Sequence, residues 1–170
     1  MNKTREMALM ALFMALVTVA TMLVRIPIPQ TSGYMNLGDS MVLLCGLFFG
    51  PWLGFVTGGV GSMLADIIGG YAQWAPWTLA IKGTEAAIAA LLFKLLKAPR
   101  GKVSFRLGLS FLLAVAWMVL GYFGAECLMY DPKAALVEVP ANLIQAGGSL
   151  VLACLLYPLF ERVAASRGRA

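Results

Sequence analysis

The chain has 170 residues, 61% of them hydrophobic and only 12% charged, with a mean hydropathy of +0.84 and a net charge of +5. A soluble domain carries about 25% charged residues, so this composition indicates an integral membrane protein forming one bundle and leaves no polar stretch to build a separate soluble domain. The charge fits membrane topology better than nucleic acid once its placement is considered. The absence of histidine removes the commonest metal ligand and proton shuttle. Cys45, Cys127 and Cys154 lie in or beside apolar runs without CxxC or metal-ligand spacing and read as packing residues. No P-loop is present to cradle a nucleotide, no nucleophile–base pair is evident, and no metal or cofactor is expected in this chain.

The basic start Met1-Asn-Lys-Thr-Arg5 followed by an apolar run has the outline of a signal peptide, with a cleavage-like Thr18-Val-Ala20. The run continues to spanning length, so a retained first helix is expected over residues 6–24. Ala11 and Ala15 form a small-xxx-small pair that lets another helix approach closely, either within the bundle or from a partner. Pro27 and Pro29 end this helix, since proline removes a donor and restricts its predecessor. The following run Gly33-Tyr-Met-Asn-Leu-Gly-Asp39 holds two glycines, an amide and a carboxylate. Irregular backbone at membrane depth needs protein or a water-filled cavity around it. It is therefore expected to be a loop folded into the protein, roofing a pocket, with a long polar surface loop as the plainer alternative.

A second helix over 40–49 is too short to cross a hydrocarbon slab of about 30 Å, and short Gly/Pro-interrupted segments point to binding sites in transporters. Helix three is expected over 51–68. Gly46, Gly50, Gly54, Gly58 and Ser62 recur every four residues, giving a bare face for close packing or, less commonly, for a ligand. An aromatic loop with Tyr71, Trp74 and Trp77 leads to helix four over 78–94. Helices five and six follow over 105–124 and 139–160, and 161–170 is a basic tail. Alternating these six segments puts Lys3, Arg5, Lys94, Lys97, Arg100, Lys102, Arg106, Arg162, Arg167 and Arg169 on one side and only Arg25 and Lys133 on the other. This positive-inside bias predicts that both termini are cytoplasmic.

In that orientation the unusual polar residues gather toward the outside: Asn36 and Asp39 in the loop, Asp66 on helix three, Lys82 and Glu85 on helix four, Tyr122 and Glu126 at the end of helix five, Asn142 and Gln145 at the start of helix six. Ionisable groups inside a membrane segment are expensive and face an interior or a cavity. Lys82 could be there only to neutralise Glu85 or Asp66, and the aromatics could form an interfacial belt. A pocket with aromatic walls and a few polar groups instead suits a small planar, polar molecule.

Six helices, an AxxxA in the first, NLGD at 36–39, GxxxGPWxG at 46–54, GSMLAD at 61–66 and GGYAQWAPWTLAIKG at 69–83 together resemble the substrate-binding S components of energy-coupling factor (ECF) vitamin transporters. The resemblance implies an all-α membrane protein, residues 1–170 forming one domain in the cell membrane, that binds a vitamin or precursor from outside without hydrolysing ATP. It implies partners: a transmembrane coupling protein and two cytoplasmic ATPases, which alone use ATP and Mg. It further implies toppling in the membrane, contact of Ala11 and Ala15 with the coupling protein, and a gating first loop. Asn36, Asp39, Tyr71, Trp74, Trp77, Lys82, Glu85, Tyr122, Glu126, Asn142 and Gln145 are the expected substrate contacts. The subgroup resembles S components for riboflavin, pyridoxine or the thiamin pyrimidine precursor; a pyridine- or pyrimidine-type ring is the preferred substrate and riboflavin the alternative. An ion-coupled carrier working alone and a lipid-modifying membrane enzyme are the competing classes.

Overall fold

A computed structural model describes residues 3–167, with side chains through residue 162. Arg169, used above to orient the chain, lies outside the described residues. Six helices follow in order: α1 (Lys3–Leu23), α2 (Asp39–Phe49), α3 (Pro51–Gly69), α4 (Ala75–Leu95), α5 (Phe105–Met129) and α6 (Pro132–Arg167). Four of them, α1, α3, α5 and α6, are long and apolar enough to cross a membrane. The helix α2 has only 11 residues, and α4 carries Lys82, Glu85 and Lys94 within its 21.

The segment after α1 departs from the expected irregular loop. Arg25–Ile28 (β1) and Gly33–Asn36 (β2) pair antiparallel, Arg25 opposite Asn36 and Ile28 opposite Gly33. The intervening turn is closed by Thr31 N–H to the Ile28 carbonyl at 3.4 Å and includes Ser32 at a φ of 49°. Pro27 is tolerated in β1 because a two-stranded ribbon has an unpaired edge, and Pro29 falls in the turn that follows. Pairing satisfies the backbone groups that a loop at this depth would leave bare.

Helix ends also differ from expectation, each for a local reason. The helix α6 begins at Pro132, not at 139. Asp131 caps it, accepting from the backbone N–H of Lys133 at 2.7 Å and Ala134 at 3.1 Å, with proline at the first helical position. Pro140 and Pro158 are absorbed inside it. Ser104 caps α5 through the Leu107 N–H at 3.2 Å, and α5 continues to Met129, so Glu126 lies within the helix rather than beyond its end. Gly50, at a φ of 83°, turns the chain between α2 and α3, where a Cβ would strain the backbone.

The glycine stripe serves close packing. A Cβ on Gly54 would stand 2.7 Å from Gly46 Cα, one on Gly59 2.7 Å from the Leu79 carbonyl, and one on Gly61 2.8 Å from the Met14 carbonyl. These contacts draw α3 against α2, α4 and α1, while Ser62, at the end of the stripe, faces the cavity described below. At the end carrying the basic turn between α4 and α5, Phe13 packs against Phe48, Phe49 and Phe160, with ring centroids 4.7, 5.0 and 5.5 Å away. These rings fill the centre of the bundle there, beside an open groove lined by Gly46, Gly50, Phe93, Lys94 and Arg100, and a polar cavity lies at the hairpin end.

Candidate functional site

The hairpin end encloses a cavity lined from every side. Thr21 comes from α1, Gly33, Tyr34 and Asn36 from β2, Ser62 and Asp66 from α3, and Thr78 and Lys82 from α4, with Trp74 just before it. Tyr122 comes from α5, and Glu138, Asn142 and Gln145 from α6. The space open to a water-sized body at its centre is about 30 Å³, within about 430 Å³ of non-atom space that includes the open mouth. The helices reach it through polar stripes of helical period. Thr78, Lys82 and Glu85 are buried on one face of α4, and Glu138, Asn142, Gln145 and Ser149 on one face of α6. The opposite face of α6 exposes Leu136, Val137, Leu143, Ile144 and Val151. Polar residues inside and apolar residues outside is the polarity expected of a bundle whose solvent is lipid.

Beneath the cavity lies a buried charge network. Lys82 Nζ donates to Asp39, the first residue of α2, and stands 3.7 Å from Glu85. Gln145 Nε2 donates to Asp39 Oδ2 at 2.8 Å, and Gln145 Oε1 accepts the Asn36 N–H at 2.7 Å. Asn36 Oδ1 in turn accepts the Gly38 N–H at 2.8 Å, shaping the turn into α2. One chain of contacts thus runs from α4 through α2 and α6 to the hairpin. Lys82 Nζ also lies 5.1 Å from the centroid of the Tyr122 ring, close enough for a cation–π contact. The Tyr122 hydroxyl pairs with that of Thr78 at 3.1 Å.

Above the cavity the hairpin is tied down by its own side chains. The Tyr34 hydroxyl donates to Asp66 Oδ1 at 2.5 Å, Thr31 Oγ1 donates to Glu138 Oε2, and Trp74 Nε1 donates to the Ser32 carbonyl at 3.2 Å. Burial, reinforced by the Asp66 carboxylate, pushes the Tyr34 hydroxyl far above the ordinary tyrosine range. The phenol therefore stays protonated and keeps its role as donor.

Of the residues the sequence singles out, Asn36, Trp74, Lys82, Tyr122, Asn142 and Gln145 line the cavity. Asp39 and Glu85 are fully buried beneath it, in the Lys82 network. The principal partner of Lys82 is thus Asp39, across the bundle, rather than Glu85 or Asp66. Glu126 lies behind Asn142, whose Nδ2 donates to its Oε1 at 3.4 Å. Tyr71 stacks at a tilt on Tyr34, centroids 4.5 Å apart, and so backs the lining. Trp77 packs half-buried against the core away from the cavity. Asp66, marked in the sequence as part of the polar cluster, also lines the cavity, and Thr21, Gly33, Tyr34, Ser62, Thr78 and Glu138 line it without having been marked as contacts. For Glu138 a signal existed: it stands four residues before Asn142 and seven before Gln145, the spacing of one helical face.

The chain matches the family model of the ECF-type riboflavin transporter S component over residues 1–162. It is 44% identical over 137 residues to an uncharacterised protein of Pyrococcus woesei, covering 80% of this chain and 88% of that one. It is 30% identical over 165 residues to the thiamine precursor transporter HmpT of Lactococcus lactis subsp. cremoris, covering 96% of this chain and 92% of that one. A solved S component of a bacterial ECF transporter shares the fold, with a TM-score of 0.56 over 99% of this chain and 95% of that one at 15% identity. With its membrane-spanning helices and a polar cavity closed by the hairpin, the chain belongs to the family of ECF-type riboflavin transporter S components, multi-pass membrane proteins of vitamin or vitamin-precursor uptake.

Proposed function

We propose that this S component binds a vitamin precursor or B vitamin built on one small heteroaromatic ring, of pyrimidine or pyridine type, in the cavity under the hairpin. The observation that carries this reading is the form of the cavity. The tyrosine and tryptophan rings of Tyr34, Trp74 and Tyr122 stand among polar groups, and the hairpin lies hydrogen-bonded across the top. Aromatic walls with a few fixed polar atoms suit a flat, polar ligand. HmpT, similar along nearly the whole chain, is a thiamine precursor transporter, which favours the pyrimidine. Riboflavin is the second reading, favoured by the name of the family model.

In this reading Asn36, Trp74, Lys82, Tyr122, Asn142 and Gln145 face the ligand, while Asp39, Tyr71, Trp77, Glu85 and Glu126 support them from behind. Uptake is energised from outside the chain, by a transmembrane coupling protein and two ATPases that hold the ATP and Mg. Ala11 and Ala15, both exposed on α1, are the contact with the coupling protein. Both termini face the cytoplasm and the hairpin faces out, as the basic residues argue. Mass spectrometry of small molecules that co-purify, followed by titration of ligand-free protein against B vitamins and their ring precursors, tests the reading. We expect one single-ring compound to bind tightly without ATP; tight binding of riboflavin with no single-ring binder overturns it in favour of the second reading.

A further inference from the structure

The groove at the basic end of the bundle follows from the unequal lengths of two neighbouring helices. A Cβ on Gly46 would stand 2.1 Å from the Ala86 carbonyl, so α2 and α4 meet backbone to backbone there. Beyond that contact α2 runs only to Phe49 and Gly50 turns the chain away into α3, while α4 continues to Leu95. The last turns of α4 are therefore uncovered on one side. The space beside them admits a water-sized body over about 500 Å³, within the roughly 300–1,000 Å³ of small-molecule sites. Half-buried Leu47 and buried Ala90, Phe93 and Ala98 form its floor, and exposed Lys94, Lys97 and Arg100 its rim.

No carboxylate lines this groove. The ion pairs among the described residues join Lys82 to Asp39 and Glu85, and Arg100 to Glu161, so Lys94 and Lys97 have no acidic partner. The Arg100–Glu161 contact, at 3.5 Å, involves an arginine side chain that is 68% exposed, and such a surface pair holds its members weakly. The Arg100 guanidinium also lies 5.9 Å from the centroid of the Phe93 ring, which keeps it over the groove. An occupant must bring negative charge from elsewhere. A second copy of this chain offers none: five of its eight acidic side chains are buried, Glu6 and Glu161 are half-buried, and Asp131 is at the hairpin end. The sequence beyond Glu161 holds Arg162, Arg167 and Arg169 and no acid. The surroundings of the groove are apolar. Leu91 and Leu95 are exposed beside Lys94, and Trp52, next to Pro51 on the lining, is 75% exposed. Tryptophan gathers at the membrane–water interface, so the basic rim stands at the depth of lipid phosphates.

We propose that this groove is a binding site for an anionic glycerophospholipid. Lys94, Lys97 and Arg100 hold the phosphate and its charged head group, and the upper part of an acyl chain lies over Leu47, Ala90 and Phe93. Basic pockets between spanning helices are suited to anionic head groups, and here the apolar floor adds a reason for the phosphate to arrive with a chain attached. The site is at the opposite end of the bundle from the hairpin cavity and does not depend on what that cavity binds.

The test uses the full-length chain, delipidated in a non-ionic detergent and titrated with dioleoylphosphatidylglycerol or dioleoylphosphatidylcholine. Native mass spectrometry reads the lipids retained and their affinity. Phosphatidylglycerol should bind more tightly than phosphatidylcholine. The triple variant Lys94→Gln, Lys97→Gln, Arg100→Gln should lose about fivefold in phosphatidylglycerol affinity per cation, or roughly a hundredfold in all. A second triple variant, Lys3→Gln, Arg5→Gln, Lys102→Gln, removes the same charge from outside the groove and should lose far less. All six side chains are exposed, and circular dichroism with thermal unfolding checks that both variants keep the fold. Equal affinity for the two lipids, or equal loss in the two triple variants, overturns the proposal, the latter in favour of diffuse surface charge. Displacement of the lipid by millimolar inorganic phosphate overturns it in favour of a soluble anion. Unchanged lipid affinity in the groove variant, with co-purification of the coupling protein lost, overturns it in favour of an acidic protein partner.

Discussion

At the scale of single residues, the Lys82–Asp39 pair is a contact that cannot lose one partner alone. Both side chains are almost fully buried, and Gln145 holds the other oxygen of Asp39. Such a pair contributes little net stability against an apolar substitute, but removing one partner strands the other charge. Asp39→Ala should therefore lower stability by about 3–5 kcal/mol, read as a large fall in the unfolding temperature in detergent. The double variant Asp39→Leu with Lys82→Met should recover most of it, and failure of the double variant to recover would show that the charges do more than neutralise each other. Lys82, Asn142 and Gln145 were legible in the sequence because a polar side chain in an apolar helix has few explanations. Their partners were less so. The i,i+3 spacing pointed to Glu85, yet proximity on one helix face lost to the shorter reach of Asp39 from the start of α2. Glu138 escaped notice because the stretch before residue 139 reads as a loop, and only the Asp131 cap brings it into α6.

At the scale of elements, the hairpin decides access. Its residues reach two helices: Tyr34 to α3, and Thr31 and the Asn36 backbone to Glu138 and Gln145 on α6. The sequence marked this segment as a roof, since a polar run between spanning helices must be enclosed, but not as a paired ribbon. Four-residue strands containing Pro27 carry almost no alternating pattern to read. The glycine stripe was legible for the opposite reason: a period of four in small residues has one common physical use. If the hairpin hydroxyls hold the roof closed, deleting them speeds ligand release. Tyr34→Phe or Thr31→Val should raise the dissociation rate about tenfold, the scale of one hydrogen bond to a carboxylate. The association rate should change far less. Stopped-flow fluorescence of Trp74, which lines the cavity and bonds to the hairpin, reads both; unchanged dissociation in both variants would show that another element gates the site.

At the scale of the whole molecule, the two ends of the bundle differ in kind. The hairpin end is polar inside and carries the cavity; the other is packed with phenylalanines and bordered by Lys94, Lys97, Arg100 and Arg106. Along the side, α1 buries Phe13 and Val17 but leaves Ala11, Leu12, Ala15, Leu16 and Val19 exposed. Exposed apolar residues are ordinary on a helix that faces lipid, so Leu12, Leu16 and Val19 alone say nothing about a partner. The two alanines are informative because they form a shallow groove, and a groove admits another helix where a bulky side chain would hold it off. Thr21, which lines the cavity, lies six residues beyond Ala15 on the same helix, about 9 Å along its axis. Ala11→Trp fills the groove without touching the cavity or the buried face of α1. It should leave vitamin or precursor affinity of the isolated chain within about twofold while abolishing co-purification with the coupling protein and its ATPases. Loss of both together would mean that the substitution disturbs the bundle; retention of the complex would move the docking face to another helix.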